Sequence, residues 1–529
     1  MTQRGVSRPS VRRVLVERGR YYDSVFLLRI SRTLEETAGV RRAVVAMGTP
    51  ANLENLARVG FEITSAGPQV GLRADDLIIA VEADDETALG EAERKLALLL
   101  TAGSESGEAT EESPSTLGDA LSLDAAANLA LISVPGIYAA AEARRALRRG
   151  LHVMLFSDNV TVEDEVSLKD DAARRGLLVM GPDCGTAIVN GVPLGFANVV
   201  RRGPIGIVGA SGTGIQEVTS LIDRYGSGVS QALGTGGRDL SKIVAARSTL
   251  AATDALAADP ETRVVVVVSK APAPEVAERV LAKLADAGKP AVVHFVGTAG
   301  QAPRGHVVFA DTLADAARVA CRLAGVAVPE CPDVELPKAC SLPRQGSLCG
   351  LFCGGTLAQE AWATLRRRSI DVRSNVAADP AFRVKPGDIV AGHVLWDLGD
   401  DAFTVGRPHP MIEPSLRDAG VARALADPNV AVVLVDCVLG YGAHSDPAGS
   451  LAEAIRYVAQ ASPADRRSAL ADRRSAVVAS VTGTDRDPQG YREQRRRLEA
   501  VGVVVADSNA QAAEWVAAML RMAPREATR

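Results

Sequence analysis

The chain contains the same strand, turn and helix pattern twice, and this repeat constrains its fold more than any other feature. Residues 203–217 read GPIGIVGASGTGIQE: an apolar run, a turn of small residues, and then apolar residues at helical spacing. Residues 346–361 read GSLCGLFCGGTLAQEA and follow the same plan. When 211–217 are laid over 354–360, four of the seven positions are identical, namely Gly, Thr, Gln and Glu. The repeat predicts two related α/β domains.

The small residues of both turns also indicate an anion site. Glycine lets the backbone approach a ligand, and the first N–H groups of a helix, at the positive end of its dipole, can bind phosphate or carboxylate. Any single β-α turn also favours Gly, Ser and Thr for capping alone, and that alternative stays open. Because the pattern occurs twice, we predict that both turns face one pocket. The residues concerned are Ser211, Gly212, Thr213, Gly214, Gly354, Gly355 and Thr356.

Length and composition limit the classes of function. At 529 residues the chain exceeds a single hydrophobic core, and a formal net charge of −5 with scattered Lys and Arg argues against a nucleic-acid partner. No apolar run reaches the ~18 residues of a membrane helix, and the N-terminus lacks the apolar centre of a signal peptide, so we expect a cytoplasmic protein. The seven cysteines form neither a disulfide framework nor paired metal-ligand motifs. No metal site is therefore predicted.

Composition shifts and periodicity divide the chain into domains and linkers. Short strands alternating with helices predict a small ferredoxin-like or βαβ domain near the N-terminus. Continuous apolar strands in the remainder predict parallel sheets that are covered by helices on both faces. The predicted segments are an N-terminal domain (11–101), a linker (102–116), an α/β segment (117–200), a first α/β domain (203–328), a linker (329–345) and a second α/β domain (346–522). The fold class is thus α/β.

Polar clusters follow several predicted strands, where ligands of open parallel sheets collect. The first α/β domain has a second glycine turn, and the last domain has three polar clusters. The candidate residues are Gly236, Gly237 and Arg238; Asp401, Arg407 and His409; Gly440, Gly442 and His444; and Thr482, Gly483 and Thr484. Cys184 also ends a strand, but no histidine neighbours it in sequence to activate it, so we interpret it as a turn thiol.

These motifs resemble two subunits of one enzyme family. GPIGIVGASGTG and the later GTGGRD are similar to the second domain of the α subunit of succinyl-CoA synthetase, while VLVDCVLGYGAHSD, SVTGT and VVVADSNAQAAEWV resemble the C-terminal domain of its β subunit. The domain order, GRPHP and TDRDPQG resemble the FdrA family, often labelled acyl-CoA synthetase, over nearly the whole chain from Val11. The resemblance implies a truncated, CoA-binding-like Rossmann segment at 117–200, flavodoxin-like sheets at 203–328 and 346–522, and a phosphate held between the two turns.

The chain departs from the synthetases in three respects. No stretch has room for their ATP-grasp domain. The segment 117–200 begins after the Gly-rich loop that binds the CoA phosphates in the synthetases, so CoA is not predicted as a cofactor. Gly305-His306 matches the place of their phosphorylated histidine, but the residues that follow, 307–309, have the composition of an ordinary strand. His306 is therefore only a secondary candidate for phosphorylation.

The FdrA resemblance implies carbamoyl transfer. Members act in allantoin breakdown as one component of an oxamate carbamoyltransferase, which interconverts oxalurate plus phosphate with oxamate plus carbamoyl phosphate. We therefore predict a carbamoyltransferase that binds phosphate or carbamoyl phosphate and works in a hetero-oligomer with partner subunits, and also as a homo-oligomer. Arg407 would bind the phosphate or a carboxylate, and His409 would polarise the carbamoyl oxygen or carry the proton. Asp401 and His444 are second choices.

Two alternatives stay open. The chain could be an acyl-CoA synthetase-like, NDP-forming subunit that needs a separate ATP-grasp partner and a phosphorylated His306. It could also be a non-catalytic scaffold whose N-terminal domain senses a small ligand. The doubled anion turn and the polar clusters after the strands favour catalysis over scaffolding.

Overall fold

In a computed structural model, the protein forms two compact units, residues 1–114 and 115–529. The structure describes residues 10–19, 22, 24–35, 37–49, 52–53, 56–57, 61, 72–73, 76–105, 114, 116–328, 336–337, 345–404, 408–460 and 475–522. Most of the predicted linkers lie outside these residues.

The first unit is a small antiparallel sheet with helices packed on it. Its elements are β1 (Val11–Glu17), α1 (Ser24–Glu35), β2 (Val40–Met47), β3 (Leu77–Ala83) and α2 (Glu86–Glu105). β3 lies between β1 and β2 and pairs antiparallel with both. Apolar residues of both helices, among them Leu34 and Leu89, pack with Ile79 against one face of the sheet. This confirms the predicted ferredoxin-like domain.

The second unit begins with a three-stranded parallel sheet in the order β4-β5-β6. Its elements are α3 (Leu117–Leu123), β4 (Leu129–Ile132), α4 (Gly136–Arg148), β5 (His152–Leu155), α5 (Val162–Arg174) and β6 (Val179–Met180). The sheet confirms the truncated Rossmann-like segment. The hairpin of β7 (Thr186–Val189) and β8 (Val192–Gly195) follows, and it pairs with the next sheet through Ile188 and Ala232.

The first flavodoxin-like domain is built on a seven-stranded sheet in the order β13-β12-β11-β9-β10-β7-β8, parallel except for the hairpin. Its elements are β9 (Arg202–Ala210), α6 (Gly212–Arg224), β10 (Val229–Gly234), α7 (Arg247–Ala258), β11 (Val264–Ser269), α8 (Pro274–Asp286), β12 (Ala291–Phe295), β13 (Val307–Phe309) and α9 (Leu313–Leu323). Every residue of β11 is buried, as the uninterrupted valine run predicts.

The helices that follow β9 and β11 lie on opposite faces of this sheet. α6 and α9 pack on the face that carries Val266, whereas α7 and α8 pack on the face that carries Val267. Because β9 and β11 are neighbours, the loops after them diverge and leave a crevice at the carboxyl edge. Such a switch point is where ligands bind in open α/β sheets.

The second flavodoxin-like domain has a six-stranded parallel sheet in the order β15-β16-β14-β17-β18-β19. Its elements are β14 (Ser347–Phe352), α10 (Gly355–Arg367), β15 (Val372–Ser374), a 3₁₀ turn (Pro380–Phe382), β16 (His393–Asp397), α11 (Asp401–Thr404), α12 (Ser415–Ala426), β17 (Val430–Val438), α13 (Pro447–Gln460), β18 (Ala476–Thr482), α14 (Tyr491–Glu499), β19 (Val504–Ala506) and α15 (Asn509–Met522). The predicted α/β class with two flavodoxin-like domains is confirmed.

The two flavodoxin-like domains share one hydrophobic core. Ile215 and Val218 of α6 belong to the same buried cluster as Leu357 of α10 and Val516 of α15. This packing sets α6 beside α10 and so brings the two repeated turns together. Within the described residues, no helix is long and apolar enough to cross a membrane. The same residues contain no cluster of three or more His, Cys, Asp or Glu side chains arranged to hold a metal ion.

Candidate functional site

The N-termini of α6 and α10 meet at the interface of the two flavodoxin-like domains. Ser211 caps α6 by accepting a hydrogen bond from the Gly214 N–H at 3.2 Å. Its Oγ also lies 2.7 Å from Thr356 Oγ1 of α10. A Cβ on Gly354 would lie 2.9 Å from Thr213 Cγ2. The structure therefore brings together the two turns that the repeat predicts to share a pocket.

The turn before α6 leaves one position open to a ligand. A Cβ on Gly214 would lie 2.2 Å from Ser211 Oγ, so packing within the turn already requires that glycine. A Cβ on Gly212 would meet only Thr186 Oγ1, at 3.4 Å. The N–H groups of Gly212 and Thr213 belong to the first helical turn, which has no acceptors within its own helix. Gly212 is thus the position where an anion can approach the backbone.

The turn before α10 is different because carboxylates already lie against it. Asp436 accepts hydrogen bonds from the N–H groups of Cys353 at 2.7 Å and Gly354 at 2.8 Å. Asp397 Oδ2 lies only 2.5 Å from where a Cβ of Gly355 would be. These two acidic side chains take the place that a phosphate would take at this helix end.

Acidic groups and one lysine line the space in front of α6. Burial raises the pKa of Asp397 to about 7 and that of Asp183 to about 6. The ammonium of Lys270, which directly follows β11 and is exposed, opposes both shifts. Burial and the neighbouring Asp158 also raise the pKa of Asp401. The site therefore combines a cation with carboxyl groups that titrate near neutral pH.

His409 lies at the same edge and is held as a neutral ring. Its Nδ1 accepts a hydrogen bond from the Met411 N–H at 3.2 Å, so the ring proton is on Nε2. Burial lowers its pKa to about 4, which makes it a hydrogen-bond donor and not an acid at pH 7. A Cβ on Gly399 would lie 2.5 Å from His409 Nε2 and 3.2 Å from Asp397 Oδ1. The two groups thus face one small space, while the predicted partner Arg407 falls outside the described residues.

The glycine turn after β10 holds the three-stranded segment in place. Arg238 donates to Glu165 Oε2 at 3.1 Å and to the Val160 carbonyl at 2.8 Å, both in or next to α5. Gly236 has a φ of +86°, and a Cβ there would lie 2.2 Å from the carbonyl oxygen of Pro182. A Cβ on Gly237 would lie 3.4 Å from Asp183 Oδ2. Gly237 thus borders the site, and the charge of Arg238 acts to lower the pKa of Asp183.

Six further candidates belong to the last domain. They are Gly440, Gly442, His444, Thr482, Gly483 and Thr484. A Cβ on Gly440 would lie 2.5 Å from the carbonyl oxygen of Ala197, and Thr484 Oγ1 donates to the Val199 carbonyl at 2.7 Å. His444 donates its N–H to the carbonyl of Met411 at 2.7 Å. The contacts of Gly440 and Thr484 join the last domain to the segment that follows β8, whereas the contact of His444 lies within the last domain.

The glutamates of the repeat also act across the domain interface. Glu217 of α6 accepts hydrogen bonds from the Asn509 N–H at 3.0 Å and from Thr482 Oγ1 at 2.5 Å. Glu360 of α10 accepts from the Leu313 N–H at 2.7 Å and from Asn509 Nδ2 at 2.8 Å. Each glutamate therefore binds the first residue of the last helix in the other domain. Burial raises the pKa of both carboxyls, that of Glu360 to about 7.

Two further residues have no role at the N-termini of α6 and α10: His306 lies far from them, and Cys184 is an unreactive thiol. His306 is exposed, and its Nε2 lies 3.0 Å from the Leu284 carbonyl oxygen. The strand register places His306 level with Ile205 of β9. Because Ile205 comes six residues before Ser211, His306 lies about 20 Å from the start of α6 along the strand direction. Burial raises the pKa of Cys184 to about 12, so this residue is a thiol in the protein.

Three residues of the site escaped sequence reasoning, although they share a recognisable position. Asp183 follows β6, Lys270 follows β11, and Asp397 is the last residue of β16. Ligand-binding groups of open parallel sheets lie at the carboxyl ends of strands. Taking the polar residue at the end of each predicted strand, or the first ones after it, as a candidate would have found them.

Three protein families match successive parts of the chain. The AllF, heavy metal-associated domain family matches residues 10–115, the CoA binding domain family matches residues 200–297, and the CoA-ligase family matches residues 351–519. The CoA binding match thus covers the domain that carries α6. The sequence had predicted a CoA-binding-like fold in the three-stranded segment before it.

One curated relative spans almost the whole chain. The uncharacterized protein YahF of Escherichia coli (strain K12) is 41% identical over 513 residues, which are 94% of this chain and 96% of YahF. The ADP-forming succinate–CoA ligase subunit alpha of Aquifex aeolicus (strain VF5) is 34% identical over 117 residues, which are 21% of this chain and 38% of that subunit. A solved structure of the dinucleotide forming acetyl-coenzyme A synthetase 1 of Ca. Korarchaeum cryptofilum is 17% identical, with a TM-score of 0.26, and covers 74% of this chain and 82% of that chain.

The comparisons overturn the predicted carbamoyltransferase activity. The matches include a CoA-ligase family and a succinate–CoA ligase subunit, which point to ligase chemistry. The prediction took its activity from the FdrA resemblance and not from a residue that selects a carbamoyl group. The matches also bring in CoA, which the sequence analysis left out as a cofactor.

Proposed function

Because the chain belongs to the family of Escherichia coli YahF, and two ligase-related families match its flavodoxin-like domains, we propose that it is an acyl-CoA synthetase-like subunit of the NDP-forming type. The observation that carries this proposal is the meeting of the α6 and α10 N-termini, with Ser211 Oγ 2.7 Å from Thr356 Oγ1.

The reaction we assign to this chain is the exchange of acyl-CoA and phosphate for acyl phosphate and CoA. CoA supplies the acyl group as a thioester. A phosphate oxygen forms a bond to the acyl carbonyl carbon while the carbon–sulfur bond breaks. The sulfur leaves with the bonding electron pair and is protonated. Such a transfer depends on positioning the reactants and on stabilising negative charge at the carbonyl oxygen.

Residues of the cleft can meet each of these needs. The N–H groups of Gly212 and Thr213 bind phosphate at the start of α6, and the Lys270 ammonium balances its charge. Asp397, whose pKa is about 7, accepts the proton that phosphate loses as it attacks. Nε2–H of His409 donates a hydrogen bond to the acyl carbonyl oxygen, a role that needs the neutral ring.

The turn before α6 fits a phosphoryl group because Gly212 leaves its backbone open. The described residues just before β4 form α3 and a turn, so we place no contact with CoA phosphates in the three-stranded segment. We assign no phosphoryl transfer to His306, because it lies at the amino edge of the sheet. The step that uses a nucleotide then belongs to an ATP-grasp partner chain.

Release of the CoA thiol tests this proposal. The full-length protein is incubated with a series of acyl-CoA thioesters, with and without phosphate, and hydroxylamine traps the acyl phosphate. We expect thiol release that depends on phosphate. Gly212→Ala should lower this release about 100-fold, and Gly90→Ala should leave it unchanged. Gly90 is a matched control because a Cβ there meets nothing within 4 Å. Absence of phosphate-dependent release, with or without an ATP-grasp partner, would refute the proposal.

A further inference from the structure

A groove lies beside the crevice in the first flavodoxin-like domain, on the side covered by α8. Its volume is about 570 Å³, within the range of pockets that hold small ligands. Leu281 and Phe295 are buried beneath it, and Ala277 of α8 lines it between them. Pro272 and Pro303 stand among its walls, and proline restricts the backbone. The groove is therefore apolar at its base and largely preformed.

The groove continues from the proposed phosphate position. Ala210, Ser269 and Phe295 lie in one row across β9, β11 and β12. Ser211 follows the first of these strands, and Phe295 of the groove ends the third, two strand spacings or about 10 Å away. Lys270 stands between them, and the next residue, Ala271, already lines the groove. One ligand can thus reach from the start of α6 into the groove.

Charge in the groove is confined to its rim. Arg304 and Glu278, the charged residues among those that line it, form an ion pair with 2.7 Å between Arg304 Nη1 and Glu278 Oε2. Thr298 donates its hydroxyl to the carbonyl of Phe295 at 2.7 Å. The ion pair is balanced and this hydroxyl is already bonded, and Gln301 is the remaining polar side chain of the lining, so the groove offers an uncharged, mostly apolar surface. Because the pair is balanced, the lining offers no unbalanced positive charge that would favour a second carboxylate.

We infer that this groove binds the acyl group of the substrate, and that the substrate is an apolar monocarboxylic acid of medium length and not a dicarboxylic acid. The inference rests on the proposed function, because it takes the acyl carbonyl to lie near Lys270 and the start of α6. Apolar contact with the groove then sets which acyl chain is preferred.

Chain-length dependence of binding tests the groove directly. Sodium salts of straight-chain acids from butanoate to decanoate are titrated into the full-length protein in phosphate-free buffer and followed by calorimetry. We expect the affinity to rise about fourfold per added CH₂ until the groove is full. Ala277→Trp fills the groove and should remove this rise. Ala282→Trp puts the same bulk on an exposed position of α8 and should keep it.

A second variant does not depend on tolerance of a tryptophan in the groove. Ala302 is an exposed wall residue, so Ala302→Asp adds a carboxylate to the groove without disturbing the core. It should weaken decanoate binding more than tenfold and leave butanoate little changed. An unchanged chain-length dependence in both variants, or none in the wild type, would overturn the inference. Binding is measured without turnover, so failure of thiol release with an intact chain-length dependence would refute only the proposed function.

Discussion

The two strand, turn and helix units share Gly, Thr, Gln and Glu at matching positions. Their turns nevertheless differ in the charged side chains that lie beside them. The turn before α6 leaves Gly212 open and faces Lys270, the cation that acts on Asp183 and Asp397. The turn before α10 is occupied by Asp397 and Asp436. We therefore propose that the first helix end, with Lys270 nearby, binds the anion and that the second does not.

The repeated sequence therefore serves two purposes: its glutamates join the domains, and its turns contribute to the proposed site. Glu217 and Glu360 do the same work in both units, because each binds the first turn of the opposite domain's last helix. That shared work accounts for the identical glutamates without any ligand. The turns themselves diverge, so one helix end can bind phosphate and the other can position the carboxyl group that accepts its proton.

The largest effect is expected from Glu360→Ala. It leaves the Leu313 N–H and the Asn509 amide buried without their acceptor, which costs about 3–5 kcal/mol of unfolding free energy. Glu217→Ala should cost a similar amount, because Asn509 and Thr482 lose their acceptor in the same way. Denaturation with urea measures both. Glu499→Ala, at an exposed ion pair, is the control and should cost about 0.5 kcal/mol or less. If only one of the two variants lost unfolding free energy, the two glutamates would not have equivalent roles at the domain interface.

The second prediction concerns the glycines at the start of each helix. Gly212→Ala should lower phosphate-dependent thiol release about 100-fold while leaving the melting temperature unchanged, because its Cβ has room beside Thr186. Gly355→Ala should instead lower stability by about 1–2 kcal/mol, because its Cβ would meet Asp397 Oδ2 at 2.5 Å. Equal loss of phosphate affinity in both variants, measured by calorimetry, would show that the two turns bind the anion together.

The sequence predicts the two repeated units and their locations well. It does not predict that the turn before α6 is open while carboxylates lie against the turn before α10. Uninterrupted apolar runs identify strands such as β11 and β17, and small residues after β9 and β14 identify the turns. The position of Asp397 depends on register, because it lies beside Phe352 only after β16 has paired with β14. The hairpin at 186–195 has the same difficulty, since its partner is β10, more than 30 residues further along the chain. Both positions depend on pairing between strands that are far apart in sequence, and no local sequence pattern predicts such pairing.

A third prediction tests Asp397 as the proton acceptor. Wild-type thiol release should rise with pH through about 7, because the carboxyl must lose its proton before it can accept another. Asp397→Asn keeps an oxygen for the Gly399 N–H but should lower the rate about 10–50-fold and abolish this rise. Asp371→Asn, at an exposed residue, serves as the control. A pH profile that survives in Asp397→Asn would assign the proton to another group, with Asp183 the next candidate.

The fourth prediction is a pH dependence of stability that comes from the domain interface. The pKa of Glu360 is about 7 in the folded protein, above the usual 4.5, so the neutral carboxyl is favoured on folding. Its contribution is complete below pH 4.5 and is lost as the pH rises through 7. Relative to Glu360→Gln, the wild type should lose about 1–2 kcal/mol between pH 5 and pH 8. A difference in unfolding free energy that stays constant with pH would show that the carboxyl remains ionised throughout.

The smallest effect is expected where the two turns touch. Thr356→Val keeps the shape of the side chain but removes the hydroxyl that lies 2.7 Å from Ser211 Oγ. Ser211 still caps Gly214, so the unfolding free energy should fall by only about 1 kcal/mol. Ser211→Ala should cost more, because it removes the cap of α6 as well as the contact. If the double variant costs no more than Ser211→Ala alone, the Thr356 hydroxyl stabilises the protein only through its contact with Ser211, whereas additive losses would show that the two hydroxyls act independently.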